Sequence, residues 1–253
     1  MKILISLTLF NRNPCDIFLV RDFPEIALSL EKLGYYVELL IYDNSKKQAD
    51  LTFLKEHLGD RVCYQWDGAN TGTRGTFIFT QNIIKTNKNI NWSGVLFIDD
   101  DTRADFILSF IEKIDQKATT CVLVPKVYDQ NDTLCSPCNI SKIGSVRPTL
   151  SNPNSAILSG SFFPLSIVMD VSIPGVFWLD YLDHYVFTRF VNNILVAEVE
   201  VSHNLSVASP DKLGVRRTIN ITQAEFFYSL LCRPIGLIFL PLRIINRVIK
   251  LCC

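Results

Sequence analysis

Val95-Leu96-Phe97-Ile98-Asp99-Asp100-Asp101 sets four apolar residues directly before three carboxylates. The apolar run is short, rich in β-branched and aromatic side chains and sharply bounded, which is the pattern of a buried strand. Its acidic end is electrostatically costly. Two carboxylates ~4 Å apart repel by roughly 4 kcal/mol at an effective dielectric of 20. Three in a row therefore call for a compensating cation, and hard oxygen donors suit Mg²⁺ or Mn²⁺, especially when substrate phosphates complete the shell. The plainer reading is an acidic turn in which Asp101 caps a helix near residue 105.

Working outward, similar apolar runs occur at 2–9, 37–42 and 62–66. Helical periods lie between them. Phe23, Ile26, Ala27, Leu30 and Leu33 follow the i, i+3, i+4 spacing, with Gly34 as a C-terminal stop. Strand and helix alternating in this order predict an α/β fold with a mostly parallel central sheet and flanking helices. Ligands of such sheets sit beyond the carboxyl ends of the strands. Those ends read Thr8-Leu9-Phe10-Asn11-Arg12, Asp43-Asn44-Ser45, Gly68-Ala69-Asn70-Thr71-Gly72-Thr73-Arg74-Gly75 and Asp99-Asp100-Asp101. Any one is an ordinary turn. Four polar ends on one edge suit a nucleotide and a metal.

The second half is less regular. It reads as a helix at 105–115, a strand at 120–127, a Pro/Asn/Ser-rich excursion at 130–153 and an apolar stretch at 156–169. A helix at about 181–192, a strand at 194–201 and helical segments beyond 220 follow. Trp178-Leu179-Asp180-Tyr181-Leu182-Asp183-His184-Tyr185 places a carboxylate among aromatics at a helix start, where its pKa can be tuned for a general base. N-capping by Asp180 or Asp183 is the structural alternative. His203, just after a strand, gains weight only if it reaches a metal as neutral imidazole.

The chain has 253 residues, 48% of them hydrophobic and 20% charged, with only 11 Gly and 11 Pro, so disorder and low-complexity architectures are excluded. At ~150 residues per domain it holds one large domain or two small ones. Lys+Arg and Asp+Glu both number 25, which removes any global attraction to nucleic acid. Eight Cys are too sparse for a disulfide scaffold, and Cys135 and Cys138 form a lone CxxC that reads as ordinary thiols, consistent with a reducing compartment. The apolar start is broken by Asn11-Arg12-Asn13-Pro14 and reads as a first strand, not a signal peptide. No apolar run reaches the 18 or more residues of a spanning helix.

Taken in order, Phe10-Asn11-Arg12, Asp43-Asn44-Ser45, Asn70-x-Gly72-x-x-Gly75, Asp99-Asp100-Asp101, Asp180-Tyr181-Leu182-Asp183 and His203 resemble the GT-A-fold family-two glycosyltransferases, in particular the rhamnosyl- and galactofuranosyltransferase-like branch. The resemblance spans roughly residues 2–205. It implies a Rossmann-like GT-A domain over 1–210 and an inverting transfer of a sugar from a UDP- or dTDP-sugar to a glycan or lipid-linked acceptor, in surface polysaccharide synthesis. By the same resemblance Thr8, Phe10 and Arg12 would line the nucleotide pocket and Asp43 would bind base or ribose. Asn70 and Arg74 would lie near the diphosphate or donor sugar. Asp99 and Asp100 would hold the sugar nucleotide, Asp101 and His203 the Mn²⁺ or Mg²⁺, and Asp183 would be the catalytic base. Leu182 and Tyr185 depart from the family, which commonly has acidic residues there.

Residues 211–253 form a basic tail. From Lys212 onward seven cationic side chains face one acid, Glu225. On a helix Arg243, Arg247 and Lys250 share one face and Ile238, Leu242, Ile245 and Ile249 the other, the pattern of an interfacial helix on anionic lipid. Pro234 would start that helix and Pro241 kink it. A cytoplasmic protein held on the inner membrane face through 234–253 is the expectation, with packing on the domain or a partner subunit as its alternative. A nucleotidyltransferase on a related sheet would also need strand-end carboxylates but would release pyrophosphate. A catalytically silent glycan- or membrane-binding homologue would bind without turnover.

Overall fold

A computed structural model describes residues 1–87, 90–114, 120–202 and 215–252. The four apolar runs form parallel strands, β1 (Lys2–Leu9), β2 (Tyr36–Asp43), β3 (Val62–Trp66) and β4 (Gly94–Asp99), in the spatial order β4-β1-β2-β3. Beyond β4 the sheet becomes mixed. With β5 (Val122–Tyr128), β6 (Leu134–Ser136), β9 (Phe162–Pro164) and β10 (Ile194–Ser202), the order continues β10-β5-β9-β4. β9 runs antiparallel to both neighbours, β10 runs parallel to β5, and β6 pairs antiparallel with β5. The short strands β7 (Cys138–Ile140) and β8 (Val146–Pro148) form a separate hairpin.

The central strands β1, β2 and β4 are largely apolar because both sheet faces are covered there, whereas β10 at the edge alternates buried and exposed residues. On one face Ile3, Ile5, Leu7 and Leu9 pack against Leu19, Phe23 and Leu30 of α1 (Phe18–Lys32), Leu54 of α2 (Thr52–Leu58) and Phe110 of α4 (Ile107–Ile111). On the other, Leu4, Val95 and Phe97 meet Phe77 of α3 (Gly72–Thr86), Val168 of α5 (Leu165–Asp170) and Phe187 of α6 (Leu182–Phe190). Phe77 and Phe97 stack with ring centroids 4.8 Å apart. Each such side chain contributes about 1.5–3 kcal/mol by burial. Two polar residues enter this second core as a pair, Ser6 Oγ and Thr80 Oγ1 at 2.7 Å.

Three differences from the sequence reading have local causes. Leu33 continues the apolar period but lies past the end of α1 and is exposed, because the chain leaves the helix through Gly34 at φ +85°. The helix at 105–115 shrinks to Ile107–Ile111. The excursion at 130–153 contains β6, β7 and β8, each too short to show periodicity.

The tail is two helices, α7 (Val215–Cys232) and α8 (Gly236–Cys252), parted at Pro234, and Pro241 lies inside α8 without ending it. Ala224 and Tyr228 of α7 join the second core, and Tyr228 Oη lies 2.9 Å from Thr188 Oγ1 of α6. The orientation of α8 is the reverse of a cationic face turned outward. Arg243 and Arg247 both reach inward to buried Glu225, while Ile238 and Leu242 are 71% and 65% exposed. Among the described residues no helix is long and apolar enough to cross a membrane.

Candidate functional site

A cavity of about 950 Å³ opens at the carboxyl edge of β1, β2 and β4. Thr8 and Phe10 line it from the end of β1, Asn44 from the end of β2, Asn70, Gly72 and Thr73 from the start of α3, and Asp99, Asp100 and Asp101 from the end of β4. Asp180, Asp183 and His184 line it from the turn into α6, and Arg217, Thr218, Ile221 and Arg247 from α7 and α8. Cys135, Cys138 and Leu158 add a more apolar wall.

The acidic end is built by strand register. Thr8 stands opposite Asp99 in the parallel β1–β4 pair, and the Asp100 N–H donates to the Thr8 carbonyl at 3.1 Å. Asp100 Oδ2 accepts from the Phe10 N–H at 2.7 Å, and Arg12 donates from Nη1 to the Asp100 carbonyl at 3.1 Å. These bonds tie the loop after β1 to the loop after β4. Asp99 is held by its own N–H, which donates to Ser159 Oγ at 2.9 Å. Burial pushes the Asp99 carboxyl well above its usual range, and the charges of Asp101, Asp183 and Asp100 add to the effect. Burial also pushes Asp100 up to about 6, against the opposing Phe10 N–H and Arg12 charge.

Asp183 occupies the first turn of α6. Burial pushes its pKa up to about 7, opposed by a hydrogen bond from the Leu158 backbone. The preceding turn is fixed from outside. Arg217 donates from Nε and Nη2 to Asp180 Oδ1, at 3.2 and 2.9 Å. Tyr181, which enters α6, takes the left-handed conformation at φ +58°. His184 Nδ1 lies 2.9 Å from Ser155 Oγ, and burial lowers its pKa to about 4, so the imidazole beside Asp183 is neutral.

The glycine-rich loop is shaped by close approach. Gly72 has φ +61°, and a Cβ there would lie 2.2 Å from the Trp178 carbonyl oxygen. A Cβ on Gly75 would lie 1.9 Å from Thr71 Oγ1. The two glycines let the N-terminus of α3 pass beneath the Trp178 turn, where the Gly72 N–H donates to Asn70 Oδ1 and the Arg74 N–H to the Trp178 carbonyl, both at 3.1 Å, and the positive end of the helix dipole is turned to the cavity.

Several expected residues thus converge: Thr8, Phe10, Asn70, Asp99, Asp100, Asp101 and Asp183 share one cavity, and Arg12 braces it. Asp43 and Arg74 are placed off its wall. Asp43 is fully buried and accepts from the Ser45 and Ala49 N–H groups and from Tyr64 Oη at 2.6 Å. Arg74 Nε donates to the Ile173 carbonyl at 2.9 Å. His203 lies outside the described residues. Asn44, His184, Arg217 and the two cavity cysteines were not singled out as site residues by the sequence; only the strand-end rule pointed near Asn44. Cys15, Cys63, Cys121, Cys135, Cys138 and Cys232 are free thiols.

Among the described residues no three His, Cys, Asp or Glu side chains converge as a ready-made metal cage. The donor set nevertheless fits a hard divalent cation, since Mg²⁺-type ions are commonly held by one or two carboxylates plus substrate phosphates, and here mutually repelling carboxylates meet at a cavity wall.

No protein-family model matches the chain, and no curated protein does. Solved structures do. Residues 1–349 of S. aureus TarS align at TM-score 0.53 and 12% identity, covering 93% of this chain and 74% of that one. The TarS complex with UDP gives TM-score 0.50 and 14% identity over the same shares. GalNAc-T7 with UDP, GalNAc and Mn²⁺ gives TM-score 0.55 and 9% identity, covering 90% of this chain and half of that one. The chain has the GT-A glycosyltransferase fold.

Proposed function

We propose that this protein is a metal-dependent, inverting glycosyltransferase that moves a sugar from a nucleoside-diphosphate donor to a hydroxyl of a glycan or lipid-linked acceptor. The single observation that carries the reading is the meeting of Asp99, Asp100 and Asp101 with Asp183 in one cavity that also receives the N-terminus of α3. The neighbours add support, since TarS is seen with UDP and GalNAc-T7 with UDP, GalNAc and Mn²⁺.

Each part of the cavity has a task in that reaction. Phe10, 45% exposed at the rim, offers a ring face for a base. Asn70 and the positive end of the α3 dipole suit the diphosphate. Asp99 and Asp100 orient the sugar nucleotide, and Asp101, with His203 from outside the described residues, would hold Mn²⁺ or Mg²⁺. Such a cation, when bound, neutralises charge on the departing nucleoside diphosphate. Asp183 takes the proton from the acceptor hydroxyl as that oxygen attacks the anomeric carbon from the face opposite the leaving group. A pKa near 7 suits a base working at neutral pH.

UDP- or dTDP-linked rhamnose or galactofuranose as donor, surface polysaccharide as pathway class, and a cytoplasmic site at the inner membrane face complete the proposal. The test is a screen of sugar nucleotides with Mn²⁺ present, scoring nucleoside diphosphate release. Release from one donor class, stimulated by an acceptor, is expected. Consumption of a nucleoside triphosphate with pyrophosphate release would instead assign a nucleotidyltransferase, and binding without turnover a silent homologue.

A further inference from the structure

His184 follows Asp183 in the first turn of α6 and lines the same cavity, yet it has no part in the proposed transfer. Its ring is firmly held. Tyr181 meets it edge-on with centroids 5.5 Å apart, Tyr228 of α7 lies tilted at 6.2 Å, and Nδ1 sits 2.9 Å from Ser155 Oγ. These partners come from the turn into α6, from α7 and from the stretch after β8, not from β4 or α3, so the ring belongs to the wall left free of the donor.

The other ring nitrogen is open. Among the described residues nothing pairs with His184 Nε2, and it is not one of the buried polar atoms left without a partner, so it borders the cavity space. Asp183 does not take it, since the hydrogen bonds to that carboxylate come from the Leu158 and Asp183 backbones.

What Nε2 presents is set by the residues behind the ring. Ser155 is fully buried and clamped to Cys138 of β7: its N–H donates to the Cys138 carbonyl at 3.1 Å, and the Cys138 N–H to the Ser155 carbonyl at 2.8 Å. The two side chains are also hydrogen-bonded, and burial pushes the Cys138 thiol up to about 11, so the sulfur keeps its proton at neutral pH. A thiol sulfur accepts weakly, whereas an unprotonated imidazole nitrogen accepts well. The Ser155 hydroxyl therefore donates to Nδ1 while accepting from Cys138 Sγ, and the neutral ring carries its hydrogen on Nε2. A neutral N–H beside a carboxylate, framed by Cys138, Leu158 and Ile221, matches a sugar, with hydroxyl oxygens on its edge and C–H groups on its faces.

We propose that His184 Nε2–H reads the acceptor: it donates to an oxygen neighbouring the hydroxyl that Asp183 deprotonates, so accepted sugars carry a second oxygen beside the reacting one, and Ser155 positions the ring. The hydrogen on Nε2 stands on the Cys138–Ser155–His184 network alone; the acceptor role rests on the transferase reading.

Long-range ¹H–¹⁵N spectra of the full chain at pH 7 test the tautomer, with the His184 signals identified by their loss in His184→Phe. Protonation on Nε2 is expected, and a mixture of tautomers in Ser155→Ala. A hydrogen on Nδ1 in wild type would overturn the proposal. For the acceptor role, transfer from the donor that the screen selects is measured to methyl hexopyranosides and their monodeoxy analogues. Wild type is expected to use the analogue lacking the oxygen next to the accepting hydroxyl about tenfold less well than its parent, through KM. His184→Phe, which keeps a ring against Tyr181 and Tyr228, should use parent and analogue equally. His184→Gln, whose amide N–H replaces Nε2–H, should regain part of the difference. Full discrimination in His184→Phe, none in wild type, or refusal of every glycoside by a chain that releases nucleoside diphosphate would each overturn the acceptor role and leave the transferase reading standing. Release from no donor removes the transferase reading and the acceptor role with it, while the spectra still decide the tautomer.

Discussion

Asp183, in the first turn of α6, lies close enough to Asp99, at the end of β4, for its charge to raise the Asp99 pKa, although 83 residues of chain separate them. Burial contributes more to that rise, but the coupling marks the two carboxylates as walls of one chamber. In the proposed transfer the β4 acids are assigned to the donor and Asp183 of α6 to the base.

Asp183→Asn keeps the shape of the side chain and removes the basic oxygen. Transfer to acceptor is expected to fall ~10²–10⁴-fold, with donor affinity unchanged by calorimetry. Turnover equal to wild type would remove Asp183 from the mechanism.

The pH dependence follows from the pKa of about 7 at Asp183. A base acts when ionised, so kcat should fall tenfold per unit as pH drops below that value and level off above it. A profile flat between pH 5 and 8 would show that Asp183 is not the titrating base.

Metal addition should couple to pH through stability. Asp99, Asp100 and Asp183 all have folded pKa values raised above the unfolded value near 4. Through the window from about 4 to 7 the native state holds protons the unfolded chain has lost, so stability falls as pH rises. A divalent cation binds the ionised carboxylates and opposes that loss. At about 100 times its Kd, Mn²⁺ contributes ~2.7 kcal/mol, a rise in Tm of roughly 5–10 °C. The rise should be present at pH 7.5, small at pH 5, and lost in Asp101→Asn. A shift independent of pH would place the cation elsewhere.

Gly72→Ala forces a Cβ onto the Trp178 carbonyl at a backbone φ of +61°. Overpacking and left-handed strain together cost about 2–5 kcal/mol, readable as a lower denaturant midpoint with an unchanged slope. A midpoint within error of wild type would show that the Trp178 turn moves freely.

Arg217 and Asp180 should act as a unit. Asp180 is 7% exposed and its pKa is raised by burial against the opposing Arg217 charge. Arg217→Ala leaves that carboxylate without its cation and should destabilise by about 1–3 kcal/mol and lower kcat. In a double-mutant cycle with Asp180→Asn the two losses should be strongly non-additive. Additive losses would mean that the pair does not hold the turn before Asp183.

Much of this site was legible because strand ends converge by topology. Once β1, β2 and β4 are parallel neighbours, Thr8, Phe10 and the Asp99–Asp101 triplet share an edge without any knowledge of side-chain positions. Asp43 shares the same edge, yet its carboxylate folds back on Ser45, Ala49 and Tyr64, a choice between turn and ligand that spacing does not encode. Arg74 turns to the Ile173 carbonyl, a partner 99 residues away. Arg217, Arg243 and Arg247 counted in the sequence only as charge. Their inward direction depends on Asp180 and Glu225 being buried, and burial is a tertiary property. His184 escaped notice because its partner, Ser155, lies in a stretch without periodicity.

The proposed reaction requires Asp99–Asp101 and Asp183 to enclose one sugar nucleotide. Crystals grown with UDP and Mn²⁺, measured at the manganese edge, address it most directly. An anomalous peak is expected beside the Asp101 carboxylate, with the Asp183 carboxylate facing the vacant sugar position. Manganese and nucleotide bound away from the end of β4, or Asp183 screened from the nucleotide by intervening chain, would contradict it.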